Sequence, residues 1–404
     1  MDSAVYRFGQ YALDADRHCL SLDGQRVDVE PQALELLCHL VEHRGRVVPD
    51  KELRDRMGRG QAVSEAALTT SLHAARLAIG DSDTRQQMIR TMHPHGYRFV
   101  AQTTVAPAPP ASTATAPGIP AGAEADHEVI RFCRSADGTR IAYARTGEGP
   151  PLVKTANWLT HLDLDRTNPM WAHWFDGLTR GRQLIRYDER GCGLSSWDMS
   201  SFTLDNLVAD LDAVADAVGL DRFPLLGVSQ GGAVAVAYAA ARPERVSHLV
   251  LTSAYARGQQ IRAGSDAERD AAEVDLNIAR AGWRSQDNSF LRHSASQFLA
   301  DATPAQWDAF AVYQRQTTSS ANGLRFLEEF TRTDVSGIAH DVACPTLIIH
   351  ARDDARVPVA QALELATLIP DSRLVLLDSR NHLFTADEPA WPTFLTHLYT
   401  FLSE

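Results

Sequence analysis

The sequence predicts two folded units of different class. A small α+β unit, with short strands, three helices and a closing hairpin, comes first. A larger α/β unit on a mainly parallel sheet follows. Three observations carry this expectation. Residues 104–125 read TVAPAPPASTATAPGIPAGAEA, in which Ala, Pro and Thr supply 16 of the 22 positions and Glu124 the only charge. Such a tract has no hydrophobic period and too little apolar surface to offset its ordering entropy, so it reads as a semi-extended linker. Before it, short alternating runs precede helical patterns. After it, apolar β-rich runs alternate with helical ones, the pattern of a parallel sheet covered by helices. The expected boundaries are therefore 1–103, a linker at 104–125, and 126–404.

Composition excludes several classes. With 39 basic and 51 acidic residues the net charge is −12, so the chain as a whole is not a polycation built for nucleic acid. No run of 18 apolar residues occurs, which argues against a membrane span. The start, MDSAVYRFGQ, lacks the basic-then-apolar pattern of a signal peptide. The five cysteines (Cys19, Cys38, Cys133, Cys192 and Cys344) show no CxxC spacing and read as reduced thiols. A cytoplasmic protein without cofactor, metal or membrane contact is expected.

In the first unit, YRFGQYAL, HCLSL and QRVDVE read as strands, with a turn at Asp23-Gly24. Pro31 opens a helix with Leu34, Leu37, Leu40 and Val41 on one face, and Gly45 stops it. DKELRDRM forms a second, short helix. A third runs from Ser64, an N-cap, to Gly80, a C-cap, with Leu68, Leu72, Ala75 and Ile79 facing the core. QMIRTM, a Pro94-His95-Gly96 turn and YRFVA close the unit as a hairpin.

This order describes a winged helix. GRVVPDKEL, VSEAALTTSLHAARLAIGD and IRTMHPHGYRFVA resemble the OmpR/PhoB-type DNA-binding family across nearly all of residues 5–101. The resemblance implies DNA as a partner, with the third helix in the major groove and the hairpin wing on the minor groove or phosphates. Thr69, Thr70, His73 and Arg76 are then the base-facing candidates, and Arg90, His95 and Arg98 the wing and phosphate candidates. The chain departs from the family in charge. Residues 63–80 hold one base, Arg76, and one acid, Glu65, and the unit has 13 basic against 14 acidic residues. Duplex affinity rests largely on phosphate neutralisation, so one copy should bind weakly and a homodimer is expected to compensate.

In the second unit, EVIRFCR, RIAYART, PPLVKTA, QLIRYDE, FPLLGVS, SHLVLTSA, PTLIIHA and SRLVLLD read as eight strands, the first two as an antiparallel edge hairpin. TLDNLVADLDAVADAVGL is an intervening helix with Leu207, Leu211, Val214 and Val218 on one face. The fifth strand runs into Gly227-Val228-Ser229-Gln230-Gly231-Gly232 and then a helix of small residues. A G-x-S-x-G between strand and helix is the context of a nucleophile elbow, which aims the serine out of a strained turn. Serine needs a base, and the base an orienter. Asp353 and Asp354 follow the seventh strand, and His382 follows the eighth.

The order Ser, Asp, His and the run Asp188-Glu189-Arg190-Gly191-Cys192-Gly193 make the unit resemble the α/β-hydrolase superfamily over its whole length. The resemblance implies Ser229 as nucleophile, His382 as general base and acid, and Asp354 as orienter. The acid sits in the pattern G-x-x-D-x-x-V-P, with Ala351 in place of Gly; Asp353 is the local competitor. The oxyanion hole would use the backbone N–H of Gln230. Its second donor would come from the loop Lys154–Trp158, with Asn157 N–H the choice and Trp158 N–H the alternative, since the usual His-Gly is missing there. Residues 261–340 would form a helical cap whose aromatics pack onto the sheet and in part line an apolar acyl pocket. Trp158, His161 and TNPMWAHW are further wall candidates. Cys192 reads as a packed thiol.

Together these readings predict a transcriptional regulator whose serine-hydrolase unit binds and hydrolyses an uncharged ester or lactone, with RNA polymerase a further partner. Two rivals stay open: a serine hydrolase with a vestigial winged helix, and a receptor that binds without turnover.

Overall fold

The computed structural model describes residues 4–14, 19–22, 25–27, 29, 31–58, 65–81, 85–92, 96–107, 128–199, 201–285 and 288–404. They divide into two compact units, Met1–Gly122 and Ala123–Glu404.

In the first unit, YRFGQYAL is two strands rather than one. β1 (Ala4–Phe8) and β2 (Tyr11–Asp14) form a hairpin, with Gly9 at φ +56° in the turn. β3 (Cys19–Leu22) and β4 (Gln25–Val27) continue it antiparallel. The helices are α1 (Pro31–Glu42), α2 (Asp50–Gly58) and α3 (Glu65–Ala78), and β5 (Ile89–Thr91) pairs with β6 (Tyr97–Phe99) as the wing. Leu37, Leu40, Val41, Leu68, Leu72 and Ile79 are fully buried as their spacing predicts, whereas Leu34 only packs at the margin. The Asp23-Gly24 turn and the Ser64 cap lie outside the described residues.

The expected linker start is corrected. Thr104–Pro107 forms β7, antiparallel to β1 with Tyr6 opposite Val105, so the sheet order is β4-β3-β2-β1-β7. Composition hides a strand of only four residues. It needs one extended segment, a β-branched pair such as Thr104-Val105, and an edge with unpaired backbone groups, which β1 supplies.

The second unit contains the eight expected strands: β8 (Ile130–Arg134), β9 (Arg140–Thr146), β10 (Pro151–Lys154), β11 (Gln183–Tyr187), β12 (Phe223–Val228), β13 (Val246–Thr252), β14 (Thr346–Ala351) and β15 (Ser372–Leu377). Their order is β15-β14-β13-β12-β10-β11-β9-β8. β8, β9 and β11 pair antiparallel and the other neighbours parallel. Central strands are apolar on both faces because both are covered. Leu347 and Ile349 of β14 join one buried cluster and Ile348 the other. On the Ile348 face pack α5 (Leu204–Ala217), α6 (Gln230–Ala241) and α12 (Val359–Leu368). Across the sheet lie α4 (Ala172–Leu178) and α13 (Ala390–Phe401), whose Trp174 and Phe394 rings are 5.1 Å apart.

Between β13 and β14 stand the cap helices α7 (Gln259–Arg262), α8 (Asp266–Arg284), α9 (Ser289–Phe298), α10 (Pro304–Thr317) and α11 (Ser320–Arg332). Reciprocal capping boxes start α8 (Ser265 with Glu268) and α10 (Thr303 with Gln306). Trp283, Phe310, Tyr313 and Phe326 are buried, while Phe290 is 40% exposed and takes no part in the core. Among the described residues no helix is long and apolar enough to cross a membrane.

Candidate active site

β12 delivers the chain into Ser229, which has φ +54° and ψ −127° and heads the buried helix α6. A non-glycine residue held there stores strain. It is locked from both sides: Ser229 N–H donates to Thr252 O on β13 at 2.9 Å, and Gly232 N–H returns to Ser229 O at 2.9 Å. Gly231 permits the close approach of the β10 loop, since a Cβ there would sit 2.4 Å from Ala156 O and 2.5 Å from Thr155 Oγ1.

The structure brings Ser229, His382 and Asp354 into one hydrogen-bonded chain. His382 Nε2 lies 2.8 Å from Ser229 Oγ, and His382 Nδ1 lies 2.9 and 3.1 Å from the Asp354 oxygens. Asp354 Oδ1 also accepts the N–H groups of Arg356 and Val357, each at 2.8 Å. Burial pushes the Asp354 carboxyl up, but the facing His382, then His350 and the Val357 N–H, outweigh it and hold its pKa below the ordinary value. Asp353, the sequence competitor, is exposed. The cap pins the histidine loop, because the N–H groups of His382 and Leu383 both donate to Phe298 O at the end of α9. Ser253 Oγ donates to His382 O at 2.6 Å.

Two neighbours escaped the sequence reading. His350 on β14 donates from Nε2 to Val357 O at 2.9 Å and lies 3.4 Å from Asp354 Oδ2, behind the acid loop. Glu189 accepts both hydrogen bonds of the Gln230 side-chain amide, at 3.1 and 3.4 Å, and burial pushes its carboxyl up to about 8. Gln230 Oε1 in turn accepts Trp158 N–H at 2.8 Å. The alternative oxyanion donor is therefore already engaged by the residue after the nucleophile. Asn157 is buried, and its side chain accepts from the Lys154 ammonium. The only sequence signal for Glu189 was its place in the Asp-Glu-Arg-Gly run. The partners of that run are remote in sequence: Arg190 forks both Asp210 oxygens at 2.6 and 2.7 Å.

A cavity opens over Ser229 and Gln230, walled by Trp158 from the β10 loop and by Trp283, Phe298 and Phe330 from the cap. The same wall carries Arg262, Asp275 and Arg356. His161 and the TNPMWAHW segment do not line it. Trp174 and His173 instead donate to Phe384 O at 3.1 and 2.9 Å, because their rings are consumed in packing against Trp391. Cys192 is fully buried, and burial drives its thiol far above the ordinary value. Cys38, Cys133 and Cys344 are also free thiols.

In the first unit the DNA-facing expectation needs one correction. Arg76 is buried and points inward, donating from Nε and Nη2 to Ile89 O at 3.2 and 3.1 Å and from Nη2 to Thr91 Oγ1 at 2.9 Å. It ties α3 to the wing, beside Asp81, which accepts the N–H groups of Gln87, Met88 and Ile89. A long cation on a helix reads as surface unless an uncapped strand lies within reach. Thr69, His73 and Arg90 are exposed. Arg98 is half-buried, its Nε 3.4 Å from Arg44 O. The Thr70 side chain and His95 lie outside the described residues. Gly96, at φ +119°, lets the wing meet the Val48 backbone, since a Cβ would fall 2.1 Å from Val48 O.

Residues 166–389 match the family model described as alpha/beta hydrolase fold, more than half of the chain. The chain belongs to the alpha/beta hydrolase family. Residues 24–99 match the model described as transcriptional regulatory protein, C terminal, so an OmpR/PhoB-type winged-helix unit is fused to this hydrolase. Pyrrolizixenacetamide deacetylase of Xenorhabdus hominickii is 26% identical over 272 residues, 65% of this chain and 94% of that protein. The 2-hydroxy-6-oxo-2,4-heptadienoate hydrolase of Pseudomonas putida is 28% identical over 240 residues, 58% of this chain and 80% of that one. Among solved structures, esterase RhEst1 of Rhodococcus sp. ECU1013 superposes with a TM-score of 0.56 at 25% identity, covering 68% of this chain and 98% of its own. This hydrolase thus matches relatives over most of their length.

Proposed function

We propose that the chain is a DNA-binding transcriptional regulator whose hydrolase unit cleaves a carboxylic ester or lactone through an acyl-enzyme on Ser229. The observation that supports this reading is the unbroken chain from Ser229 Oγ through His382 to Asp354, at 2.8 and 2.9 Å. Ser229 Oγ attacks the acyl carbon as its proton passes to His382 Nε2, and Asp354 stabilises the imidazolium that forms. The oxyanion is received by the N–H groups of Gln230, at the start of α6, and Asn157, since Trp158 N–H is given to Gln230 Oε1. Collapse breaks the ester C–O bond, and His382 returns the proton to the leaving alkoxide. Water then attacks the acyl-enzyme with His382 as base, releasing the acid and restoring Ser229. The esterase, deacetylase and hydrolase names of the relatives agree with such chemistry.

In the winged-helix unit, Thr69, Thr70 and His73 are proposed to face bases, and Arg90, Arg98 and the wing tip at His95 to face phosphates. With Arg76 spent internally, α3 offers duplex DNA less charge than its composition suggests, so two copies acting together on two sites supply the affinity. As a transcription factor it works in the compartment that holds the DNA, with RNA polymerase as a further partner. The inward Arg76 is also the observation that favours a vestigial head as the rival reading.

A fluorophosphonate probe tests the pair. It should label Ser229, abolish release of 4-nitrophenol from 4-nitrophenyl butyrate, and change affinity for the chain's own upstream DNA by roughly 5–150-fold, the usual range of coupling between sites. No labelled serine refutes the enzyme. Labelling with no DNA binding in either state leaves the vestigial head.

A further inference from the structure

The cavity over Ser229 is charged in a way that its aromatic walls do not explain. Arg262, the last residue of α7, and Arg356, two residues beyond Asp354, both line it, and among the described residues Asp275 of α8 is the one carboxylate in its wall. Arg356 spends Nη1 on Gln297 Oε1 at 2.6 Å and lays its guanidinium over the Phe298 ring at 5.5 Å. Arg262 makes one long bond, from Nη1 to Arg257 O at 3.4 Å. Among the described residues neither arginine has a carboxylate within the 4.0 Å of an ion pair. Asp275 is held instead by Gln259 Nε2 at 2.8 Å. Burial disfavours the charge on each guanidinium, Arg356 adds a like charge beside Arg262, and the nearby Asp275, Tyr255 and Asp354 act the other way on both. Two cations against one anion leave a surplus of one positive charge in the lining, which also carries the polar Gln259, His293, Ser294, Gln297 and Thr331. Asp354 acts on both arginines, but its oxygens are taken by His382 and the N–H groups of Arg356 and Val357. Arginine is the side chain whose planar fork suits a carboxylate.

We infer that the compound this cavity receives is a monoanion, an ester or lactone bearing a free carboxylate, which Arg262 and Arg356 bind while its acyl carbon meets Ser229. This rests on the hydrolase reading above, and it replaces the uncharged ligand that the aromatic content of residues 261–340 suggests. A monoanion matches the surplus of one; a phosphate monoester would bring a second negative charge against Asp275. The carboxylate acts as an anchor away from the reacting bond, so its binding energy orients the ester in the site. Asp275 sets the selectivity by opposing any second negative charge.

The test uses two substrates that differ only in charge: mono-4-nitrophenyl glutarate, with a free carboxylate, and its methyl ester. Both release 4-nitrophenol, and the ratio of their kcat/KM values cancels any loss of folded protein. The full chain should prefer the anion at least tenfold at low salt, with the preference shrinking as salt rises. Arg262→Gln and Arg356→Gln should each cut the ratio about tenfold, Arg262→Lys should keep most of it, and Asp275→Asn should raise it. Brisk turnover of the methyl ester with a ratio of one or below overturns the inference and leaves the hydrolase standing. If neither ester turns over and no serine is labelled, the hydrolase reading falls and binding decides the anion site alone. Monomethyl glutarate titrated calorimetrically into Ser229→Ala should then bind, and Arg262→Gln should abolish it. Absence of binding to Ser229→Ala overturns the inference.

Discussion

Asp354→Asn is the sharpest probe of the proposed chemistry, because the change is isosteric and the environment dictates which way the amide turns. Asp354 Oδ1 accepts two backbone N–H groups at 2.8 Å, so the asparagine carbonyl must take that place. Its NH2 then falls where Oδ2 was, 2.9 Å from His382 Nδ1 and 3.4 Å from His350 Nε2. A donor now faces His382, whose Nδ1 must become an acceptor. The imidazole proton moves to Nε2 and points at Ser229 Oγ, 2.8 Å away, where a lone pair is needed to take the serine proton. A wrong tautomer of this kind costs about 10⁴ in kcat, or roughly 5 kcal/mol of transition-state stabilisation. Steady-state release of 4-nitrophenol from 4-nitrophenyl butyrate measures it, with unfolding midpoints to show that the fold survives. Exposed Asp353→Asn, in the same assay, should stay within about twofold. Asp354→Asn activity within tenfold of the unchanged protein, or a larger loss in Asp353→Asn, refutes the assignment of the acid and the tautomer argument with it.

Further outcomes follow from other contacts. Gly231→Ala drives a methyl group to 2.4 Å from Ala156 O and displaces the loop that carries Asn157, so turnover should fall by roughly 10²–10³; an unchanged kcat would remove that loop from the oxyanion site. Glu189 holds its proton up to about 8 in the folded state against an ordinary 4.5, so the native state binds the proton more tightly and stability declines as pH rises through that window. Glu189→Gln, which still accepts from Gln230, should flatten the decline in denaturant midpoints between pH 5 and about 9; an unaltered slope would show that Glu189 is ionised throughout. Arg76→Ala strips buried Ile89 O and Thr91 of their donors and should destabilise the winged-helix unit by about 1–3 kcal/mol. Arg90→Ala, at an exposed position, should leave the melt unchanged while lowering DNA affinity and the salt slope by about one counterion. A loss of affinity without destabilisation in Arg76→Ala would return that residue to the DNA face.

What the sequence by itself determined was the pattern carried along the chain. Eight apolar runs became eight strands; the central ones are nearly all apolar because both faces are buried, whereas edge strands β8 and β15 keep Arg131, Arg134 and Arg373 exposed, and the period of α5 put Leu207, Leu211 and Val214 inward. Ser229 was legible because a strand, a G-x-S-x-G and a small-residue helix are local neighbours. His382 and Asp354 were legible only as an order along the chain, with Asp353 beside them as an equal by sequence. Tertiary structure decided between the two acids, since burial and the N–H groups of Arg356 and Val357 select Asp354 and leave Asp353 in solvent. It also turned Arg76 inward, built β7 from the first residues of an Ala/Pro tract, and gathered Arg262, Asp275 and Arg356 around one cavity. The physical reason is common to these cases. A charged or short extended segment has no periodic signature, and its place depends on which distant backbone group or opposite charge lies within about 3 Å once the core has formed.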